Sequence, residues 1–240
     1  MIVKTKAIVL STIKYQEKSL IVKCFTQSSG VKSYFVPTAF SKRRSAGDNK
    51  SIAYFQPMSI LEIEANHKNK PKLEHFKEVK VSIPYQTISF DIIKSTIVLF
   101  LSEILHHSIR EEEENESLFI FLETAFVWLD THDEVTNFHL IFLLELTKFL
   151  GFYPDNTEIH LPYFDIQEGH FTKYQGINCT SENESVLLKK LLELKFDSSQ
   201  KFFNSIERQQ LLKLLIEYYS IHLVGFKKPK SLEVLKEVFS

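Results

Sequence analysis

Lys42, Arg43, Arg44 and Lys50 fall within ten residues, SKRRSAGDNK, whose other members are Ser, Ala, Gly, Asp and Asn. Four cations without an apolar periodicity make neither a buried strand nor the apolar face of a helix, so the segment reads as an exposed loop. The chemistry open to it is attraction of phosphate. Phe35 and Phe40 precede it and Tyr54 and Phe55 follow it, while Tyr15 sits among Lys14 and Lys18. Cations neutralise phosphates and aromatic rings stack on unpaired bases, a combination suited to nucleic acid. A loop that only solubilises the chain is the alternative. The charge balance favours the first reading: residues 1 to 80 hold 15 Lys and Arg against 6 Asp and Glu, and the remainder 14 against 24. A net charge of -1 thus conceals a basic N-terminal part and an acidic body.

Other residue groups have less to offer. The acidic run EEEENE at 111 to 116 could serve a metal-dependent nuclease only if its carboxylates converged, whereas consecutive carboxylates on a helix diverge. It reads instead as a solvated loop or helix start, where negative charge suits the dipole. His106 and His107 are adjacent and diverge as well. Cys24 and Cys179 are the only cysteines, too few for a disulfide framework or a cysteine-based zinc site. His160 and His170 are the only histidines beside Cys179 between residues 152 and 184. Six glycines include no phosphate-cradling motif and no nucleophile elbow. These patterns point to no cofactor, no metal and no catalytic residue, and the chain is expected not to be an enzyme.

The elements that must position the cations follow from periodicity. KTKAIVLST, SLIVKCFTQ, VKSYFVPT, SIAYFQPMSILEIEA with a bend at Pro57, and LEHFKEVKVSI predict about five strands, the second and third joined as a hairpin through SSG. Five strands in some eighty residues match an OB-fold, and another small β-barrel fits the pattern as well. From about residue 86 the period becomes helical: FDIIKSTIVLFLSEILHHSI, SLFIFLETAFVWLDTH, NFHLIFLLELTKFLGF, SVLLKKLLELKF, RQQLLKLLIEYYSIHLVGF and SLEVLKEVF. Ser117 and Ser231 are expected to cap the second and last of these, and Gly151 to end the third. An irregular insert is expected over about 152–184. The fold class is therefore α+β: an OB-fold over 1–80 and a helical domain over 81–240. No window is long and apolar enough to cross a membrane, and no signal-peptide pattern opens the chain, so a cytoplasmic, nucleoid-associated protein is expected.

The order of these features resembles the bacterial RecO family of recombination mediators. KAIVLSTIKYQEKSLIVKCFTQSSGVKSYFVPTAFSKRRS resembles the family's opening, YFQPMSILEIE its following strand, and ELTKFLGFYPD the helix end that leads into its insert. The resemblance implies an N-terminal OB-fold, binding of single- and double-stranded DNA, strand annealing, and work with RecR to load RecA on strands coated by single-stranded-DNA-binding protein (SSB). Two departures stand out. Many members carry a four-cysteine zinc site in the insert, where this chain has Cys179 alone, and Thr38 stands where members often have Gly.

As the resemblance to the RecO family implies, the acidic tail of SSB ends in apolar residues, so its receptor needs an apolar groove rimmed by cations. Lys189, Lys190, Lys195 and Arg208 are the candidate partner-binding residues, with Lys201, Lys213, Lys227, Lys228 and Lys230 near them in sequence. An RNA- or tRNA-binding OB-fold protein with a helical appendage is the alternative function.

Overall fold

The computed structural model describes residues 2–37, 39, 52–67, 73–109, 113–198 and 202–239. Five antiparallel strands open the chain: β1 (Ile2–Tyr15), β2 (Ser19–Thr26), β3 (Gly30–Val36), β4 (Ile60–Asn66) and β5 (His75–Ile83). Their order is β3-β2-β1-β4-β5. The outer strands meet where the Phe35 N–H donates to the Glu74 carbonyl and the Glu74 N–H to the Ser33 carbonyl, both at 2.8 Å. These bonds close the sheet into a barrel and satisfy edge groups that would otherwise be unpaired. The result is the expected OB-fold.

One long strand makes this closure possible. The first half of β1 pairs with β4, from Ile2 opposite Asn66 to Ile8 opposite Ile60, and its second half with β2, from Ala7 opposite Thr26 to Tyr15 opposite Ser19. A register shift between Val9 and Ser11 lets the strand bend from one partner to the other. Inward alternation then buries Ala7, Val9, Leu20, Val22, Cys24, Tyr34, Val36, Leu61, Ile63, Ala65, Phe76 and Val79.

The fourth predicted strand is shorter than its sequence pattern. Ile52–Phe55 forms a 3-10 turn, Met58 takes φ 62°, and the strand begins only at Ile60. Burial decides this. Phe55 stacks on Phe76 (5.6 Å between centroids), and Phe76 on Tyr34 (4.1 Å), so turning Phe55 into the barrel outweighs the ladder bonds that extension toward residue 51 would add. Pro57 could not have donated one of them.

The helices follow as α1 (Ile92–Ser108), α2 (Glu116–Thr131), α3 (Phe138–Leu150), α4 (Glu182–Leu192), α5 (Ser205–His222) and α6 (Leu232–Val238). Gly151 ends α3 in the left-handed conformation, φ 82°. The cap of α2 is Asn115, whose side chain accepts from the Leu118 N–H at 3.0 Å, and not Ser117. Ser231 precedes α6 without a side-chain capping bond. Helix α4 starts earlier than its apolar period, because Ser181 and Glu184 form a capping box. That shortens the insert, which contains a two-stranded hairpin, β6 (Tyr163–Asp165) with β7 (His170–Thr172). Among the described residues no helix is long and apolar enough to cross a membrane.

Packing divides the chain into two compact units, Met1–Thr131 and His132–Ser240. The change from strand to helix falls after Ile83, yet α1 and α2 belong with the barrel. In the first unit the Asp130 carboxylate accepts from the backbone N–H groups of Gln86, Thr87 and Ile88 at 2.8 to 2.9 Å. The Lys94 ammonium, also buried, donates to the Thr87 hydroxyl at 2.7 Å. These bonds fasten the connection between β5 and α1 to the end of α2. In the second unit the Tyr219 hydroxyl of α5 donates to the Leu143 carbonyl of α3 at 2.7 Å. The insert packs Phe164 and Phe171 into a small core with Leu188 of α4 and Leu214 and Tyr218 of α5.

Candidate nucleic-acid interface

The outward side of β1 and β2 changes character along its length. Ile8 and Phe25 are paired across the strands and both are buried, Phe25 lying 5.9 Å from the Phe119 ring of α2. The next outward pair, Ser11 and Lys23, is engaged by the end of α1: Ser11 Oγ and His106 Nδ1 hydrogen-bond at 2.9 Å, and Lys23 donates to the His106 carbonyl at 3.1 Å. Burial, the Lys23 charge and His107 together hold the His106 imidazole below its ordinary range. His107 lies against it at nearly right angles, 5.1 Å away.

Beyond that pair the face is open. Ile13 is opposite Ile21, and Ile21 opposite Phe35, which places three apolar side chains in one row. Ile13 is 58% exposed and Tyr15, two residues on, 43%. The Tyr15 ring meets Phe35 at 6.0 Å and 85°, and Phe35 meets His75 at 5.7 Å and 80°. None of these rings is stacked face to face on another. Lys14 and Lys18 are exposed at the end of β1 and in the turn after it, where Gln16 takes φ 54°. Lys42, Arg43, Arg44 and Lys50 lie outside the described residues.

Of the aromatics near the basic segment, Phe55 is buried, Tyr54 is half-buried against the barrel core, and Phe35 is half-exposed; Phe40 lies outside the described residues. His75, Ile13 and Ile21 escaped the sequence reading because alternation shows that two faces exist without showing which faces outward. A second basic run, Lys68, Lys70 and Lys72 in HKNKPK, was also legible there, directly before β5.

Elsewhere on the barrel three cations are paired with carboxylates. Lys4 and Lys77 both pair with Glu64, Lys4 at 3.2 Å. Their hydrogen bonds, Lys77 first, hold the Glu64 carboxyl below the ordinary range. Lys6 pairs with Glu123 of α2 at 2.7 Å.

The candidate partner-binding residues divide in two. Lys189 donates to the Leu161 carbonyl at 2.7 Å and lies over the Phe171 ring, so it braces the insert. Arg208 donates to the Phe203 carbonyl at 2.7 Å, and burial lowers its guanidinium pKa. Lys190 and Lys195 are exposed. A better-shaped feature lies between α5 and α6: a groove of about 490 Å³ lined by Leu212, Ile216 and Leu232 with Lys213, Lys228 and Lys236. Glu217 and Glu233 also line it, Glu233 paired with Lys236 at 2.9 Å. Among the described residues no three His, Cys, Asp or Glu side chains gather as a metal site would require. Glu113 and Glu114, the described part of the acidic run before α2, are exposed.

Comparison with known proteins agrees with this architecture. Residues 1–85 match the family model described as recombination protein O N terminal, and residues 89–233 the one described as recombination protein O C terminal. The chain is 66% identical over 238 residues to the DNA repair protein RecO of Flavobacterium johnsoniae, with 99% of each chain covered. It is 39% identical to that of Bacteroides fragilis and 30% to that of Porphyromonas gingivalis, each over the full length of both chains. With an OB-fold matching one family model, a helical part matching the other, and full-length relatives at these identities, the chain belongs to the RecO family.

Proposed function

We propose that this protein is a DNA-binding recombination mediator. It binds single and double strands, anneals complementary strands, and acts with RecR to load RecA on SSB-coated DNA in the cytoplasm. The observation that carries the reading is the OB-fold with an excess of cations in its eighty residues, within a family whose relatives are named DNA repair proteins. Binding and annealing need no bond to be made or broken, so the protein works without catalytic residues, cofactor or metal. Lys42, Arg43, Arg44 and Lys50, with Lys14 and Lys18, supply phosphate contacts; long cationic side chains among Ser and Gly suit phosphates, which ask for charge, rather than base edges, which ask for fixed bidentate geometry.

Binding against salt tests this directly. Affinity should fall steeply as salt rises. Replacing Lys42, Arg43 and Arg44 by Ala should weaken binding to all sequences alike and reduce the slope by roughly 0.7 per lost single-strand contact. Unchanged affinity and slope would return the loop to a solubilising role, and equal or tighter binding to RNA of the same length would favour an RNA-binding function.

The groove between α5 and α6 is the proposed receptor for the SSB tail, because it offers apolar side chains beside cations. Lys213 and Lys228 replace Lys189 and Arg208 as the charges of choice, since the latter two are committed to backbone carbonyls. Replacing the exposed Lys213 and Lys228 together by Glu should abolish binding of a tail peptide by the full chain and leave DNA binding unchanged. Undiminished peptide binding would move the receptor elsewhere.

A further inference from the structure

The open row on β1, β2 and β3 is apolar and aromatic where the rest of that face is covered by the chain's own helices. It runs through Ile13, Ile21 and Phe35, with Tyr15 and His75 standing against Phe35. We infer that this cluster is a stacking platform for unpaired bases, and that it gives the barrel a preference for single strands that its cations alone do not confer. The inference rests on the DNA-binding reading above and assigns to it the part that touches bases.

Two features favour bases over an apolar partner surface. The first is ring geometry: the Tyr15–Phe35 and Phe35–His75 pairs meet near 90°, so flat π surface remains for a further ring, and Tyr15 and His75 are both exposed. The second is the charge of the chain leading to and from the cluster. Phe35 is one residue from the end of β3, and Lys42 is six residues beyond Val36, within about 20 Å along even a fully extended chain. Lys72 precedes His75 by three residues, with Lys68 and Lys70 before it, and Lys18 follows Tyr15 by three. Against these cations stand Glu17 in that turn, Asp48 in the basic segment, and Glu74, which is buried. Cations that draw the backbone thus stand close in the chain to rings that would receive its bases, the pairing of charge and aromatic surface found in single-strand grooves. Paired bases are already stacked on one another and cannot lie on a side chain without unstacking. A base lying flat on a ring keeps its pairing edge free, which is what annealing of a second strand requires.

The test uses the full-length protein with three probes of equal length: oligo(dT), an abasic strand with the same phosphates, and a duplex. The wild type should bind oligo(dT) at least tenfold more tightly than the abasic strand. Tyr15→Ala and Phe35→Leu should each weaken oligo(dT) binding about tenfold, the size of one base–ring stack, with the salt slope and duplex affinity unchanged. A strand carrying 2-aminopurine should show stacking-dependent quenching with the wild type and less with Tyr15→Ala. Should Phe35→Leu fail to fold, the more exposed Tyr15 still decides the matter. Equal wild-type affinity for oligo(dT) and the abasic strand would overturn the platform while leaving DNA binding intact. So would variants that bind oligo(dT) normally, which would mark the row as a protein-docking face. Absence of binding to any of the three probes would defeat the DNA-binding reading itself.

Discussion

Asp130 shows how one side chain can hold a fold's connections together. Burial opposes ionisation of its carboxyl, but the N–H groups of Gln86, Ile88 and Thr87 and the Thr87 hydroxyl more than offset that, and its pKa lies below the ordinary value. A carboxyl whose folded pKa is below its unfolded value, about 3.9, contributes stability that is fully present above the unfolded value and is lost as pH falls through the folded one. Asp130→Asn keeps the shape and removes the charge. It should cost about 2 kcal/mol at pH 7, the scale of hydrogen bonds to a charged group, and the gap to wild type should narrow as pH is lowered toward 3. Denaturant unfolding at both pH values measures this, and a gap independent of pH would show that the charge is not what matters.

At the scale of elements, the insert holds its shape by an aromatic core and hydrogen bonds. Phe164 and Phe171 lie 5.1 Å apart across the β6–β7 hairpin, and Thr180 and Ser185 hydrogen-bond at 2.6 Å where the insert enters α4. Thermal unfolding should accordingly show the same midpoint with and without a chelator; a lower midpoint with chelator would reveal a structural metal. The hairpin also depends on Gly169, which takes φ 72° and where an added Cβ would approach the Tyr218 hydroxyl to 2.8 Å. Gly151 shares the left-handed backbone, φ 82°, with nothing within 4 Å of the added atom. Gly151→Ala should therefore cost only the backbone strain, roughly 1–2 kcal/mol, and Gly169→Ala more, because Tyr218 must shift away from the Phe152 carbonyl it donates to. Equal losses would mean that Tyr218 relaxes freely.

At the scale of the whole molecule, the boundary of the packed unit has consequences for any attempt to separate the proposed DNA binding from the proposed partner binding. A cut after residue 80 would strip α1 and α2 from the barrel and expose Ile8 and Phe25, both now buried on its outward side. A fragment of residues 1–131 should unfold cooperatively and remain monomeric, whereas residues 1–80 should self-associate through that uncovered face. Size-exclusion chromatography over a range of concentrations distinguishes the two, and a monomeric 1–80 fragment would show that the helices are dispensable to the barrel. The uneven charge, 15 cations against 6 anions in those first eighty residues, belongs to this scale as well. On the proposed function it sets how steeply DNA affinity depends on salt, through the number of phosphates met.

The amino-acid sequence determined the parts that rest on local periodicity and composition. The β2–β3 hairpin, the change to helical period after Ile83, the end of α3 at Gly151 and the segregation of charge all follow from residues near one another in the chain. Tertiary structure decided the rest, because it turns on which side of an element becomes buried. Residues 52–55 satisfy a strand pattern, yet Phe55 gains more by stacking on Phe76. Lys189 and Arg208 look in sequence like any surface cation, and carbonyls from distant segments claim them. Ile13, Ile21 and Phe35 alternate as Ile8 and Phe25 do, and only the reach of α1 and α2 across the barrel separates the covered pair from the open row.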